Sequence, residues 1–151
     1  MSKISWKSLQ SNSKYPCFIV EYEQLRIMVD CALQPTTRTK IPTNLKYKLA
    51  TPTENYKAVS AIIISSYKTS TMLPYITEHT EFSGRIFATT PTIEFAQLAM
   101  MQIINDIVEW NIEKSMSADL QIELPYSEAD VLKCISRIEH ISLNDPKVIT
   151  S

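Results

Sequence analysis

The sequence has one glycine, Gly84, in 151 residues. Ordinary usage of about 7% would supply about ten. Glycine makes positive-φ turns and lets backbone approach a phosphate closely, so a chain this poor in it has no Gly-rich phosphate loop of either common type. Nucleotide binding through a P-loop or a dinucleotide fingerprint is excluded. Histidine is also scarce. His79 and His140 are the two present, with no HExxH or HxH pair, and every standard histidine-based zinc motif fails. The three cysteines, Cys17, Cys31 and Cys134, are odd in number, widely spaced and without a CxxC knuckle. They make a poor disulfide framework and read as buried free thiols in a reducing compartment. The longest apolar runs, such as residues 61–64, are too short for a transmembrane helix or a signal-peptide core.

What is present is ordinary for a globular chain: 44% hydrophobic and 21% charged residues. The length suits one domain, which buries about 68–70% of its unfolded surface. Net charge is −1 but unevenly spread. Residues 1–70 hold ten Lys/Arg and four Asp/Glu, while residues 71–151 hold five and twelve. Such asymmetry marks either an unevenly charged solvated surface or a basic face for nucleic acid or an acidic partner.

Residues 1–14 are polar and lysine-rich, anchored by Ile4, Trp6 and Leu9, and are expected to be loosely ordered. Residues 17–22 and 25–31 are rich in β-branched and aromatic types and read as two strands joined by the tight spacer Glu23-Gln24. Residues 34–57 are rich in threonine, proline and cations and read as a long, mobile surface loop. The apolar run 58–65 suits a buried strand. Pro74 opens a short helix to Thr80, a turn at 82–84 follows, and 85–88 read as a further strand. Thr90 caps a long helix to about Glu113, with Pro91 at its first position. Its inward stripe is Ile93, Ala96, Met100, Ile103, Ile104 and Ile107. A connector over 115–125 ends in Pro125. Ser127 and Asp130 form a capping box for a helix with the stripe Val131, Ile135 and Ile138. The tail from Asn144 is expected to fray. This order of elements is α/β. The expected core is Phe18, Val20, Ile27, Val29, Ile62, Ile64, Ile76, Ile86, Ile103, Ile107 and Ile135.

One stretch carries more. After the strand ending in Ser65, the run Leu73 to Thr92 reads LPYITEHT-x-F-x-G-x-x-x-AT-x-PT. It follows a hairpin whose second strand ends in Asp30-Cys31, and precedes Tyr126-Ser127-x-x-Asp130-Val131. In these motifs, and in their order over about residues 17–141, the chain resembles the metallo-β-lactamase/β-CASP proteins of RNA 3′-end processing. The resemblance implies a partial metallo-β-lactamase-like fold over 15–143, a mixed β-sheet packed by helices, without the β-CASP insertion. It also implies an N-terminal fragment or short gene model of a longer protein. The glycine of the Asp-Cys-Gly signature is Ala32 here, and the loops 34–57 and 115–125 are short for the family.

Active members follow the buried strand with HxHxDH, which binds two zinc ions. Laid without gaps from Ser66, that motif falls on Ser66, Lys68, Ser70 and Thr71, none of them a histidine or carboxylate. The loop before Leu73-Pro74 is also about two residues shorter than the active pattern. The expectation is therefore a pseudoenzyme with no metal, no cofactor and no catalytic residue. Asp30 is the retained family position, read as a structural carboxylate bonded to loop backbone. His79 is read as a helix-terminal histidine suited to the dipole, and Glu78 and Glu81 beside it as surface carboxylates rather than an acid–base pair. The resemblance implies a nuclear scaffold subunit (with cytoplasmic presence an alternative) that pairs with a catalytic endonuclease homologue, without a membrane. Two other readings stand beside it: an active metal-dependent RNA hydrolase, and an RNA-binding module using Arg38, Lys40, Lys46 and Lys48 with Tyr47.

Overall fold

A computed structural model describes residues 3–10, 13–37, 45–48, 54–113, 115–116 and 121–149. Its main sheet has six strands: β1 (Ile4–Ser8), β2 (Phe18–Tyr22), β3 (Leu25–Val29), β6 (Ala61–Ile63), β7 (Arg85–Ala88) and β8 (Ile138–His140), in that spatial order. β1, β2 and β3 are antiparallel neighbours, whereas β3, β6, β7 and β8 run parallel. The helices are α1 (Leu73–His79), α2 (Thr90–Glu113) and α3 (Glu128–Ser136). A separate ribbon pairs β4 (Gln34–Thr37) with β5 (Leu45–Lys48).

The parallel strands are added in chain order, always in the same direction across the sheet. Right-handed crossovers that never reverse direction deliver their helices to one face. Register aligns a row of side chains on that face: Ile19 opposite Met28, Met28 opposite Ile62, Ile62 opposite Ile86 and Ile86 opposite Ile138. The first four are fully buried, in one cluster with Met72, Leu73 and Ile76 of the α1 region, Ala96, Met100 and Ile104 of α2, and Val131 and Cys134 of α3. The other face carries Phe18, Val20, Ile27 and Val29, which are half-buried.

The expected core therefore needs correction on β2 and β3. Ile62, Ile64, Ile76, Ile86 and Ile107 are buried as expected, but the buried residues of the hairpin are Ile19 and Met28. Side chains alternate between faces, so choosing the wrong parity moves a whole set to the other side. Both parities of this hairpin are apolar, and only the side on which the helices settle decides between them. Ile103 and Ile135 are half-buried against the cluster.

Other expectations also shift. Residues 4–8 form β1, although all five side chains are exposed. This strand is held by backbone pairing to β2 and by the edge-on contact of Trp6 with Phe18, at 6.2 Å between ring centres, and leaves no hydrophobic pattern to read. Part of the 34–57 loop is the β4–β5 ribbon, where Thr36, Thr37 and Tyr47 favour strand and Pro35 is tolerated in a two-stranded pair. Residues 38–44 and 49–53 lie outside the described residues. Ile138 belongs to β8 rather than to the α3 stripe. Thr90 is already helical. Thr89 flanks the helix instead, its carbonyl accepting from the Ile93 amide at 3.0 Å. The tail is tied at Val148, whose carbonyl accepts from Arg85 at 2.7 Å.

The lone glycine has a steric reason. A Cβ on Gly84 would stand 2.5 Å from the Ser60 carbonyl oxygen and 2.7 Å from that of Val59, backbone that cannot move aside. Its φ is not positive, so close approach alone demands it.

The capping box of α3 is present: Ser127 Oγ accepts from the Asp130 amide at 3.2 Å, and Asp130 Oδ2 accepts from the Ser127 amide at 2.8 Å. The same oxygen is 3.0 Å from His79 Nε2, joining α1 to α3. Arg137, just past α3, donates to the Thr77 carbonyl at 3.0 Å near the end of α1.

Two outcomes test this fold. Met28→Ala should cost about 2–5 kcal/mol in urea unfolding, and Ile27→Ala distinctly less because its site is half-open. Equal costs would show the buried face to be misassigned. The Ser127 backbone hydrogen bond, then its side chain and His79, hold the Asp130 carboxyl below the usual carboxylate range. A depressed folded value gives stability that is present above the unfolded pKa of about 3.9 and is lost as pH falls through the folded value. Asp130→Asn should thus lose about 1 kcal/mol at neutral pH, with the gap to the parent closing in acid. A gap constant down to the lowest pH at which the parent folds would exclude the charged cap.

Candidate functional site

The open end of the parallel sheet is the place where α/β folds bind ligands. Here β3 ends at Val29 and β6 at Ile63, and the following segments meet. Asp30 takes a left-handed φ of 60°. Asp and Asn tolerate that region better than most residues. The turn points its carboxylate into the loop after β6. Oδ1 accepts from the Ser65 amide at 2.8 Å and Oδ2 from the Ser65 hydroxyl at 2.7 Å. Thr69 Oγ1 lies 2.6 Å from Oδ1 and 2.8 Å from the Ser66 carbonyl, sharing one proton between them. Asp30 is only 6% exposed, and these bonds offset its burial.

Backbone completes the tie. The Cys31 amide donates to the Thr69 carbonyl at 2.8 Å, and the Met72 amide to the Cys31 carbonyl at 2.9 Å. Ala32, at the position of the family glycine, is buried without needing positive φ, since Asp30 is the left-handed residue of this turn. Substituting that glycine therefore leaves the turn intact.

The side chains expected at degenerate ligand positions all lie on this loop. Ser66 Oγ accepts from the Lys68 amide at 3.4 Å. Ser70, fully buried, donates from its hydroxyl to the Tyr67 carbonyl at 2.7 Å. Thr71 Oγ1 accepts from the Leu33 amide at 2.8 Å. The Lys68 ammonium lies 5.8 Å from the centre of the Tyr67 ring. As donors for the zinc that the fold family implies, three neutral hydroxyls engaged with the loop backbone and one ammonium do not fit. Among the described residues no three His, Cys, Asp or Glu side chains converge in a way that could hold a metal ion.

His79 is remote from this loop in its contacts: it stacks on Tyr75, with ring centres 5.6 Å apart, and pairs with Asp130. Its neighbour Glu78 faces Arg137 at 3.6 Å, an ion pair too long for a hydrogen bond, while Glu81 is exposed. No acid–base pair is assembled. Burial pushes the thiols of Cys17 and Cys134 up to about 12, and that of Cys31 well above its ordinary value. Sequence spacing puts Cys134 on a distant helix; the fold instead brings it and Cys17 near enough to raise Cys31 further. All three are protonated and unreactive at neutral pH. Of the candidate RNA contacts, Lys46 and Lys48 lie on β5, while Arg38 and Lys40 lie outside the described residues. Sequence reasoning missed Ser65 and Thr69, the partners of Asp30; a serine and a threonine four apart after a buried strand give no signal of a shared acceptor.

The mixed sheet with its helices on one face, and the Asp30-centred turn against the loop after β6, define a metallo-β-lactamase-like α/β fold whose loop carries hydroxyls and an ammonium. In particular the chain resembles Integrator complex subunit 9. It is 44% identical to the Homo sapiens protein of that name over 62 residues, 41% of this chain and 9% of the relative. The Dictyostelium discoideum homolog is 22% identical over 157 aligned positions, which take in 64% of this chain and 22% of the relative. That many positions for so little of this chain means that the homolog carries insertions. An endoribonuclease, YSH1 of Kluyveromyces lactis, is 27% identical over 130 positions, 83% of this chain and 16% of the relative. The chain thus spans less than a quarter of the length of these curated relatives. No family model matches the chain.

Asp30 is the residue to test. Asn keeps the size and tolerates the left-handed φ, so Asp30→Asn isolates the charge, whereas Asp30→Ala removes every acceptor. We expect Asp30→Ala to lose about 3 kcal/mol and Asp30→Asn roughly half of that in denaturant unfolding, with faster amide exchange at Ser65 in both. Wild-type exchange at Ser65 in Asp30→Ala would remove Asp30 as the organiser of the loop.

Proposed function

We propose that this chain is a non-catalytic scaffold element of an Integrator-type complex. In this reading it stands beside a catalytic endonuclease homologue and other Integrator subunits in small nuclear RNA 3′-end processing and the cleavage of RNA polymerase II transcripts, in the nucleus. The observation that carries the reading is the loop after β6. It is held in shape by the Asp30 hydrogen bonds, while Ser66, Lys68, Ser70 and Thr71 supply no good metal ligand. A metal-dependent hydrolase of this class needs a metal to lower the pKa of its attacking water from 15.7 toward about 7. Neutral hydroxyl oxygens are poor zinc donors beside imidazole, thiolate or carboxylate, and a cation beside them repels the metal. The similarity to Integrator complex subunit 9 supports the complex, and the similarity to an endoribonuclease supports a common fold with active relatives. The stand-alone RNA-binding reading rests on a basic hairpin with one aromatic, fewer stacking platforms than single-strand binders use.

The test is zinc occupancy. Protein stripped with chelator, re-exposed to zinc and dialysed should retain well under one zinc per chain by elemental analysis and should not cleave single-stranded RNA. Stoichiometric zinc, lost on Ser66→Ala with Lys68→Ala, would overturn the pseudoenzyme reading.

A further inference from the structure

Strand β1 is an open edge. All five of its side chains are exposed, Ile4 at 67% and Trp6 at 71%, and among the described residues β2 is its one neighbour in the sheet. The β1–β2 register continues past the strand, where the Leu9 amide donates to the Cys17 carbonyl at 2.8 Å. In an antiparallel pair, residues whose backbone faces the partner strand alternate with residues whose backbone faces away. Ser5, Lys7 and Leu9 therefore turn their backbone toward β2, and Ile4, Trp6 and Ser8 turn theirs to the open side. Among the described residues no hydrogen bond reaches those outward amides and carbonyls. Native sheets shield such edges with proline, a bulge or charge. β1 has no proline, its register with β2 is regular, and its one charge, Lys7, lies 3.6 Å from Glu54 of the same chain.

The open side is complementary to itself. Two copies laid antiparallel about Trp6 set Ile4 opposite Ser8 of the second copy, Ser5 opposite its Lys7, and Trp6 opposite its Trp6. That register uses every outward amide and carbonyl of both strands, and no like charges stand directly opposite. Centring the pair on Ser5 instead sets Lys3 opposite Lys7 of the second copy, and centring it on Lys7 sets that lysine against itself. Directly opposite side chains share a face, so a Trp6-centred pair brings the two indoles together. Each indole is already edge-on to its own Phe18, at 6.2 Å between ring centres, so the contact joins four aromatic rings in a row.

We propose that the chain pairs with a second copy of itself through β1, antiparallel and centred on Trp6, so that two sheets join into one. The inference stands on β1 and not on the functional reading above. One strand pair is a small contact, so the dimer is weak, with a Kd of about 10–100 μM. Sedimentation equilibrium of the whole chain from about 5 to about 500 μM should show it. Trp6→Pro removes an outward N–H and the indole without taking a hydrogen bond from β2, and should weaken the dimer more than about tenfold with an unchanged circular dichroism spectrum. In Ser5→Lys the added ammonium faces Glu21 within the chain but Lys7 across the dimer, so the fold is kept and pairing should weaken at least about threefold. On mild oxidation, Ile4→Cys mixed with Ser8→Cys should form a disulfide-linked dimer, since such opposite positions stand about 5.5 Å apart between Cα atoms, and neither variant alone should do so. The native cysteines are buried and do not compete. A chain that stays monomeric at about 500 μM, a dimer that Trp6→Pro or Ser5→Lys leaves as strong, or a cysteine mixture that cross-links no better than its separate components would overturn the proposal.

Discussion

The carboxylate of Asp30 holds the open end of the sheet together. Itself buried, it accepts from the amide and hydroxyl of Ser65 and from the hydroxyl of Thr69. Those bonds tie the end of β3 to the loop after β6, and that loop in turn leads into α1. Without an acceptor there, the Ser65 amide and the Ser65 and Thr69 hydroxyls would lose the one carboxylate that gathers them, and the two segments would lose their side-chain tie. The left-handed backbone at Asp30 is the strain that this geometry carries, and the hydrogen bonds offset it.

That constraint shapes the whole loop after β6. The loop's shape draws on Asp30 and on backbone bonds through Cys31 and Leu33. Ser70 and Thr71 are woven into the same backbone network. Hydroxyls suit that task because each makes short local bonds to carbonyls and amides; as ligands for a divalent cation they are weak because an oxygen that keeps its proton is a poorer donor than imidazole, thiolate or carboxylate.

The one-directional crossovers have a second consequence. Among the described residues the three α-helices share one side of the sheet, so α2 packs inward on a single layer.

Much of the architecture was legible along the chain. The β2–β3 hairpin, the buried run before Ser65, the Pro-led α1, the long periodic α2 and the Ser127–Asp130 cap all rest on local chemistry: side-chain shape, period and hydrogen-bond reach within a few residues. That Ser66, Lys68, Ser70 and Thr71 bring no imidazole or carboxylate to the loop was equally readable, since it is composition. Tertiary structure alone decided three things. It chose Ile19 and Met28 over Phe18 and Ile27, because two apolar parities are equivalent until helices cover one. It made residues 4–8 and 138–140 into strands, because edge pairing through backbone needs a neighbour and not a pattern. And it gathered Asp30, Ser65 and Thr69, 35 and 39 residues apart, around one carboxylate, because a buried charge is stabilised by whichever donors the fold brings to it.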